Sequence, residues 1–120
     1  MLIADIMGAK GGELIVATPN EKVRDVAARL AEKRIGAVPV LEDGRVVGIF
    51  SERDVIYGLA REGESLLERR VADAMTSEVV TVTPDMKILS GISLMTRRRI
   101  RHLPVVVDGK MVGIVSIGDL

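Results

Sequence analysis

The feature that most constrains this chain is that it contains itself twice. Slid by 65 positions, Thr18 to Val55 lies over Thr83 to Leu120 without a gap, and 14 of the 38 pairs are identical. All four prolines fall into two pairs at this spacing, Pro19 with Pro84 and Pro39 with Pro104. Asp43-Gly44 pairs with Asp108-Gly109, Gly48 with Gly113, Ser51 with Ser116 and Asp54 with Asp119. The opening IADIM (Ile3 to Met7) returns as VADAM (Val71 to Met75) at an offset of 68, which puts three extra residues into the first repeat around Gly11-Gly12. A unit of about 55 residues buries too little surface to be comfortable alone, so the two copies should pack together.

Each repeat reads as strand, helix, strand, strand, helix. In ELIVATPNE and EVVTVTPDM a short β-branched run ends at Thr-Pro, and proline fits the first helical turn, where its missing N–H costs nothing. Thr18 reads as the N-cap and Glu21 as the reciprocal acid of a capping box; Met86 takes that acid's place in the second copy. The helix from roughly Pro19 to Arg34 puts Val23, Val26, Ala27, Leu30 and Ala31 on one face. Its counterpart uses Ile88, Leu89, Ile92 and Met95 and ends in Arg97-Arg98-Arg99, cations that suit a helix C-terminus.

Proline-led strands follow, Pro39 to Leu41 and Pro104 to Val107. Asp-Gly turns then lead into return strands at Arg45 to Phe50 and Lys110 to Val115. A last helix runs from about Glu52 to Arg61 with Val55, Ile56, Leu59 and Ala60 on its apolar side. Glu62 to Arg70 reads as a charged linker hinged near Gly63. The expected division is repeat one at 1–61, linker at 62–70 and repeat two at 71–120. The second repeat lacks its last helix at Leu120, and a helix is expected to follow there.

The composition narrows the function. Acidic and basic residues balance at 17 each, whereas a general nucleic-acid binder shows a basic excess. Aromatics are 2% of the chain, Phe50 and Tyr57, which leaves no stacking platform for single strands. Nucleic acid is therefore not an expected partner, even though Arg97 to Arg101 form a basic cluster. The absence of cysteine removes disulfides, thiol catalysis and cysteine-type zinc sites. The N-terminal apolar run, broken at Asp5, is too short for a signal sequence. No run reaches the roughly 18 apolar residues of a membrane span, and the expected location is the cytoplasm.

Catalysis finds few candidates. His102 is the single histidine, and Ala37 stands at its place in the first repeat, so no recurrent base accompanies Ser51 or Ser116. Neither a GxGxxG nor a phosphate-loop lysine motif occurs. The informative pieces are GIFSERD (Gly48 to Asp54) and GIVSIGD (Gly113 to Asp119), each a strand turning toward a helix with Ser and Asp three apart. Capping accounts for this spacing, with Ser as N-cap and Asp in the first turn. A carboxylate at such a turn can also accept two ribose hydroxyls, and charge-assisted bonds of that kind contribute about 1.5–3 kcal/mol.

Taken in order and twice over, VADAM, VTVTPD, RIRHLPVV, DGKMVGIVS and the closing Ser-x-x-Asp resemble a tandem pair of CBS domains, the Bateman module, over essentially the whole chain. The likeness is to small stand-alone bacterial and archaeal CBS-pair proteins. It implies a mixed α/β fold of two β-α-β-β-α repeats with pseudo-two-fold symmetry and two clefts, a non-catalytic sensor of adenosine-containing ligands such as AMP, ADP, ATP or NAD(H), and a homodimer. By position, the first site would use Ser51, Arg53, Asp54, Val79, Val80, Arg99, Arg101, His102, Leu103 and Pro104. The second would use Ile15, Val16, Gly36, Ala37, Val38, Pro39, Ser116 and Asp119, with the backbone near Val80 or Val16 reading the adenine edge.

The arginines around the first site suit a phosphate, whereas their equivalents Gly118, Arg34 and Gly36 offer less charge. The Asp54 site is therefore expected to hold a phosphorylated adenosine ligand more tightly. The competing expectations are an interaction scaffold with empty clefts and S-adenosylmethionine as the ligand. A regulated protein is a further expected partner.

Overall fold

The computed structural model describes residues 1–10 and 14–120, so the insertion around Gly11-Gly12 lies outside the described residues. In chain order the elements are helices α1 (Ile3–Lys10) and α2 (Val23–Lys33), strands β1 (Ala37–Glu42) and β2 (Arg45–Ser51), and helix α3 (Glu52–Glu62). A 3-10 helix (Gly63–Glu68), the one-turn α4 (Val71–Ala74), helix α5 (Ile88–Arg98) and strands β3 (His102–Val107) and β4 (Lys110–Ser116) complete them. The chain is mixed α and β, as the repeat predicts. It forms two compact units: Ile15–Val79 is continuous, and the other joins Met1–Leu14 to Val80–Leu120. Among the described residues no helix is long and apolar enough to cross a membrane.

Each unit is built on one antiparallel hairpin, β1 with β2 and β3 with β4. The Asp-Gly pairs make the two-residue turns, with φ of 53° at Asp43, 80° at Gly44, 51° at Asp108 and 79° at Gly109. Positive φ at both central positions is the type I′ turn, whose twist matches that of the flanking strands. Both hairpins carry a bulge at the same place, after Val40 and after Val105.

Three expectations are corrected by backbone pairing. The strand before Thr-Pro shrinks to single parallel bridges, Ala17 with Val40 and Val82 with Val105. Strands β1 and β3 begin two residues before their prolines. The bridge needs only the carbonyl of Pro39, which accepts from Ala17 N–H at 3.0 Å while Leu41 N–H donates to Ala17 O at 2.9 Å, so the missing proline donor is no loss. Helix α2 starts at Val23 rather than Pro19. Lys22 is held extended against Arg70, with Val23 N–H on Arg69 O and Val71 N–H on Glu21 O. Thr18 is thus not its N-cap, although Thr18 N–H still donates to the Glu21 carboxylate at 2.9 Å.

The core of the 15–79 unit gathers Ala17, Val23, Val26, Leu30, Val38, Val40, Phe50, Leu66 and Val71; that of the other gathers Ile3, Val82, Met95, Leu103, Val105 and Val115. Two of the expected apolar faces are only partly buried. On α3 the glycine Gly58 is the buried residue, while Ile56 is 62% exposed; on α5 Leu89 is 79% exposed. The stretch read as a charged linker holds the 3-10 helix, and Leu66 from it is 1% exposed in the core.

The IADIM and VADAM segments have changed places. VADAM, from the second repeat, packs with the first repeat's hairpin, and IADIM packs with the second repeat's. Each sends its methionine against the strand glycine opposite. A Cβ on Gly48 would lie 2.4 Å from Met75 Sδ, and one on Gly113 would lie 2.5 Å from Met7 Cε. The hydrogen bonds repeat as well: Ile3 N–H on Met86 O at 2.9 Å mirrors Val71 N–H on Glu21 O at 2.8 Å.

Candidate functional site

In the 15–79 unit the β2–α3 corner carries the Ser-x-x-Asp motif. Ser51 is the N-cap, extended at φ −130° and ψ 166°. Its backbone N–H donates to Asp54 Oδ2 at 2.9 Å, its hydroxyl lies 3.1 Å from the same oxygen, and Asp54 N–H reaches Ser51 Oγ at 3.3 Å. The capping expectation is therefore met in full, as a reciprocal box. Capping engages only one carboxylate oxygen. The other, Oδ1, accepts from the Thr76 hydroxyl at 3.2 Å, and Asp54 remains half-buried with Thr76 exposed.

Gly36 and Ala37 lie beside this corner, because Ala37 pairs with Ser51 and Glu52 N–H donates to Gly36 O at 2.9 Å. Val38 is fully buried in the core and offers a ligand only backbone; Pro39 is buried too. Ile15, Val16 and Val79 are half-buried and Arg53 is exposed.

The other unit repeats the corner with a difference. Ser116 N–H donates to Asp119 Oδ2 at 2.7 Å and its hydroxyl lies 3.0 Å away. A turn follows here instead of a helix. Arg101 and His102 lie alongside: Ile117 N–H donates to Arg101 O at 2.8 Å and His102 pairs with Ser116. Arg99 is the left-handed C-cap of α5, at φ 55°, and is exposed with Arg101. Leu103 is fully buried in the core, Pro104 is buried and Val80 is half-buried.

Two residues bonded to the expected site positions escaped the sequence reading. Thr76 follows VADAM, and at the matching place after IADIM stands Gly8; that unequal pair was the available signal, hidden because the segments change partners. Arg29 is the other. Its guanidinium donates to Val16 O at 2.9 Å and grips Glu21 at 2.6 and 3.1 Å. Those hydrogen bonds from Arg29, helped by Thr18 N–H and opposed by partial burial, hold the Glu21 carboxyl below its usual range.

A duplicated α/β unit, with one hairpin and one Ser-x-x-Asp corner per copy, is the class of module that these features define. The chain belongs to the CBS-domain family: the CBS-domain profile matches residues 3–61 and 71–120. It is a CBS pair, a regulatory type of module. It is similar to a mitochondrial CBS-domain-containing protein of Arabidopsis thaliana, at 38% identity over 127 residues, 98% of this chain. The chain spans 62% of the length of that relative. A CBS-domain-containing protein of Agrobacterium tumefaciens has the same fold, with a TM-score of 0.93, 36% identity and coverage of 99% of this chain and 95% of that one. A CBS-domain pair solved in complex with 5′-methylthioadenosine and S-adenosyl-L-methionine has a TM-score of 0.86 at 27% identity, covering 99% and 91%.

Proposed function

We propose that this CBS pair is a non-catalytic sensor of an adenosine-containing ligand, an AMP-type or NAD-type nucleotide, whose ribose hydroxyls donate to the Asp54 and Asp119 carboxylates. The observation that carries the reading is the Asp54 carboxylate. Ser51 fixes one of its oxygens, and the other is turned toward an exposed hydroxyl at the corner. Two acceptor oxygens on a rigid element suit a diol, and a ligand meets them already ordered. By the resemblance, one site would draw on Ser51, Arg53, Asp54 and Val79, now with Thr76, and on Val80, Arg99, Arg101, His102, Leu103 and Pro104. The other would draw on Ser116 and Asp119 and on Ile15, Val16, Gly36, Ala37, Val38 and Pro39. Arginines in the first favour a phosphorylated ligand. The pair solved with 5′-methylthioadenosine and S-adenosylmethionine supports the adenosine part of this reading.

Thermal melting with AMP, ATP, NAD, S-adenosylmethionine and a short oligonucleotide tests it. A ligand at about 100 times its dissociation constant adds about 2.7 kcal/mol per site, a rise of several degrees for a domain of this size. Silence with every adenosine compound would favour the scaffold reading. A response to S-adenosylmethionine alone would reassign the ligand.

The homodimer has a face of its own in this reading. Between α2 and α3 lies an open groove whose floor includes Ala27, Ala31, Ile35, Val55 and Ile56, with Arg34 and Glu52 among its lining residues. We propose a second copy as its occupant, since a two-fold axis through an apolar patch bearing both charges can set Arg34 of one copy against Glu52 of the other. Sedimentation equilibrium should show a dimer that Ile56→Glu converts to monomer; a monomeric wild-type protein would refute the assignment.

A further inference from the structure

The first repeat contains an ionic clamp that the second replaces with apolar side chains. Arg29, on α2, donates to Val16 O at 2.9 Å and to both oxygens of Glu21 at 2.6 and 3.1 Å. Glu21 in turn accepts from Thr18 N–H at 2.9 Å. The carbonyl of the peptide between Val16 and Ala17 is thus held by Arg29, while its N–H, that of Ala17, donates to Pro39 O at 3.0 Å. Both ends of one peptide plane are pinned, so the segment leading to the Thr-Pro turn has one orientation. Arg29 and Glu21 are about 30% exposed, at 31% and 28% of the side chain, sheltered enough for the forked pair to hold its geometry.

In the second repeat the positions of Glu21 and Arg29 are Met86 and Leu94. Both pack against the hydrophobic cluster of their unit. Leucine cannot donate to a carbonyl, so the peptide at Thr81, the counterpart of Val16, has no such hold from this position. Identical chemistry was not required here for folding, because the same fold accepts an apolar pair. The polar pair therefore does something that packing alone does not.

We infer that Arg29 is a positioning residue for ligand binding: through Val16 O it fixes the Ile15–Val16 backbone, which presents an ordered edge to the ligand base. This rests on the proposed role of that backbone in reading adenine. A ligand that meets a fixed edge loses less freedom on binding than one that must order it. The two sites then differ in preorganisation as well as in charge.

The test exchanges the clamp for the other repeat's own residues, Glu21→Met with Arg29→Leu, a pair that the fold already accommodates. Two readouts are taken: amide hydrogen exchange at Ala17 in the free protein, and calorimetric titration with AMP. The expected result is an unchanged melting temperature, faster exchange at Ala17, and one AMP-binding event weakened about tenfold, the scale of a single charge-assisted bond, with the other unaltered. Unchanged exchange would overturn the clamp. Faster exchange with both binding events unaltered would overturn its role toward ligand, as would equal weakening of both events together with a lower melting temperature. If wild-type protein takes up no AMP, the ligand reading fails, while the clamp still stands or falls on Ala17 exchange.

Discussion

Asp54→Ala is expected to remove most of the rise in melting temperature that a saturating AMP-type ligand produces. With about 2.7 kcal/mol per filled site at 100-fold excess over the dissociation constant, the loss is several degrees. The variant also removes half of the capping box with Ser51, so the free protein should lose about 0.5–2 kcal/mol. Asp54→Asn separates the two effects. The amide oxygen can still accept from Ser51 N–H and its NH2 group can donate to Thr76, but the charge that strengthens the ribose bonds is gone. The free Asn variant should melt close to wild type and respond weakly to AMP. An Asn variant that responds as wild type does would reduce Asp54 to a helix cap.

Leu66→Ala should cost about 2–5 kcal/mol, measured by urea denaturation, the usual range for emptying a buried leucine site. Its neighbour supplies an internal control. A Cβ on Gly58 would lie 2.6 and 2.7 Å from the two Leu66 methyl carbons, so Gly58→Ala alone forces Leu66 aside and should cost about 1–3 kcal/mol. In the Leu66→Ala background the obstacle is gone. There the same change should be neutral or stabilising, by up to about 1 kcal/mol from helix propensity. A coupling energy near zero would mean that Leu66 does not occupy the space beside Gly58.

Local chemistry was legible in the sequence, and tertiary pairing was not. Asp43-Gly44 and Asp108-Gly109 dictate their turns through φ alone, so the hairpins could be read directly. The Ser-x-x-Asp corners depend on contacts three residues apart and were equally visible. The start of α2 depends on Lys22 pairing with Arg70, 48 positions away, which no cap rule foresees. Leu66 sits among Glu64, Ser65 and Glu68 and reads as solvated until the rest of the core closes over it. The exposure of Ile56 and Leu89 was hidden for a related reason, since helical spacing marks an apolar stripe without saying what covers it. Thr76 was missed because its partner Asp54 belongs to the other repeat.

The exchange of the IADIM and VADAM segments also sets an order of events during synthesis. Everything the 15–79 unit needs has left the ribosome once Val79 has, so this unit can close while the chain is still growing. Ile3 and Met7 are made before that unit and wait longer. Their partners Leu103 and Gly113 are about a hundred residues downstream, roughly 5–20 s away at elongation rates of about 5–20 residues per second. Until then Ile3 and Met7 remain without the neighbours that will bury them.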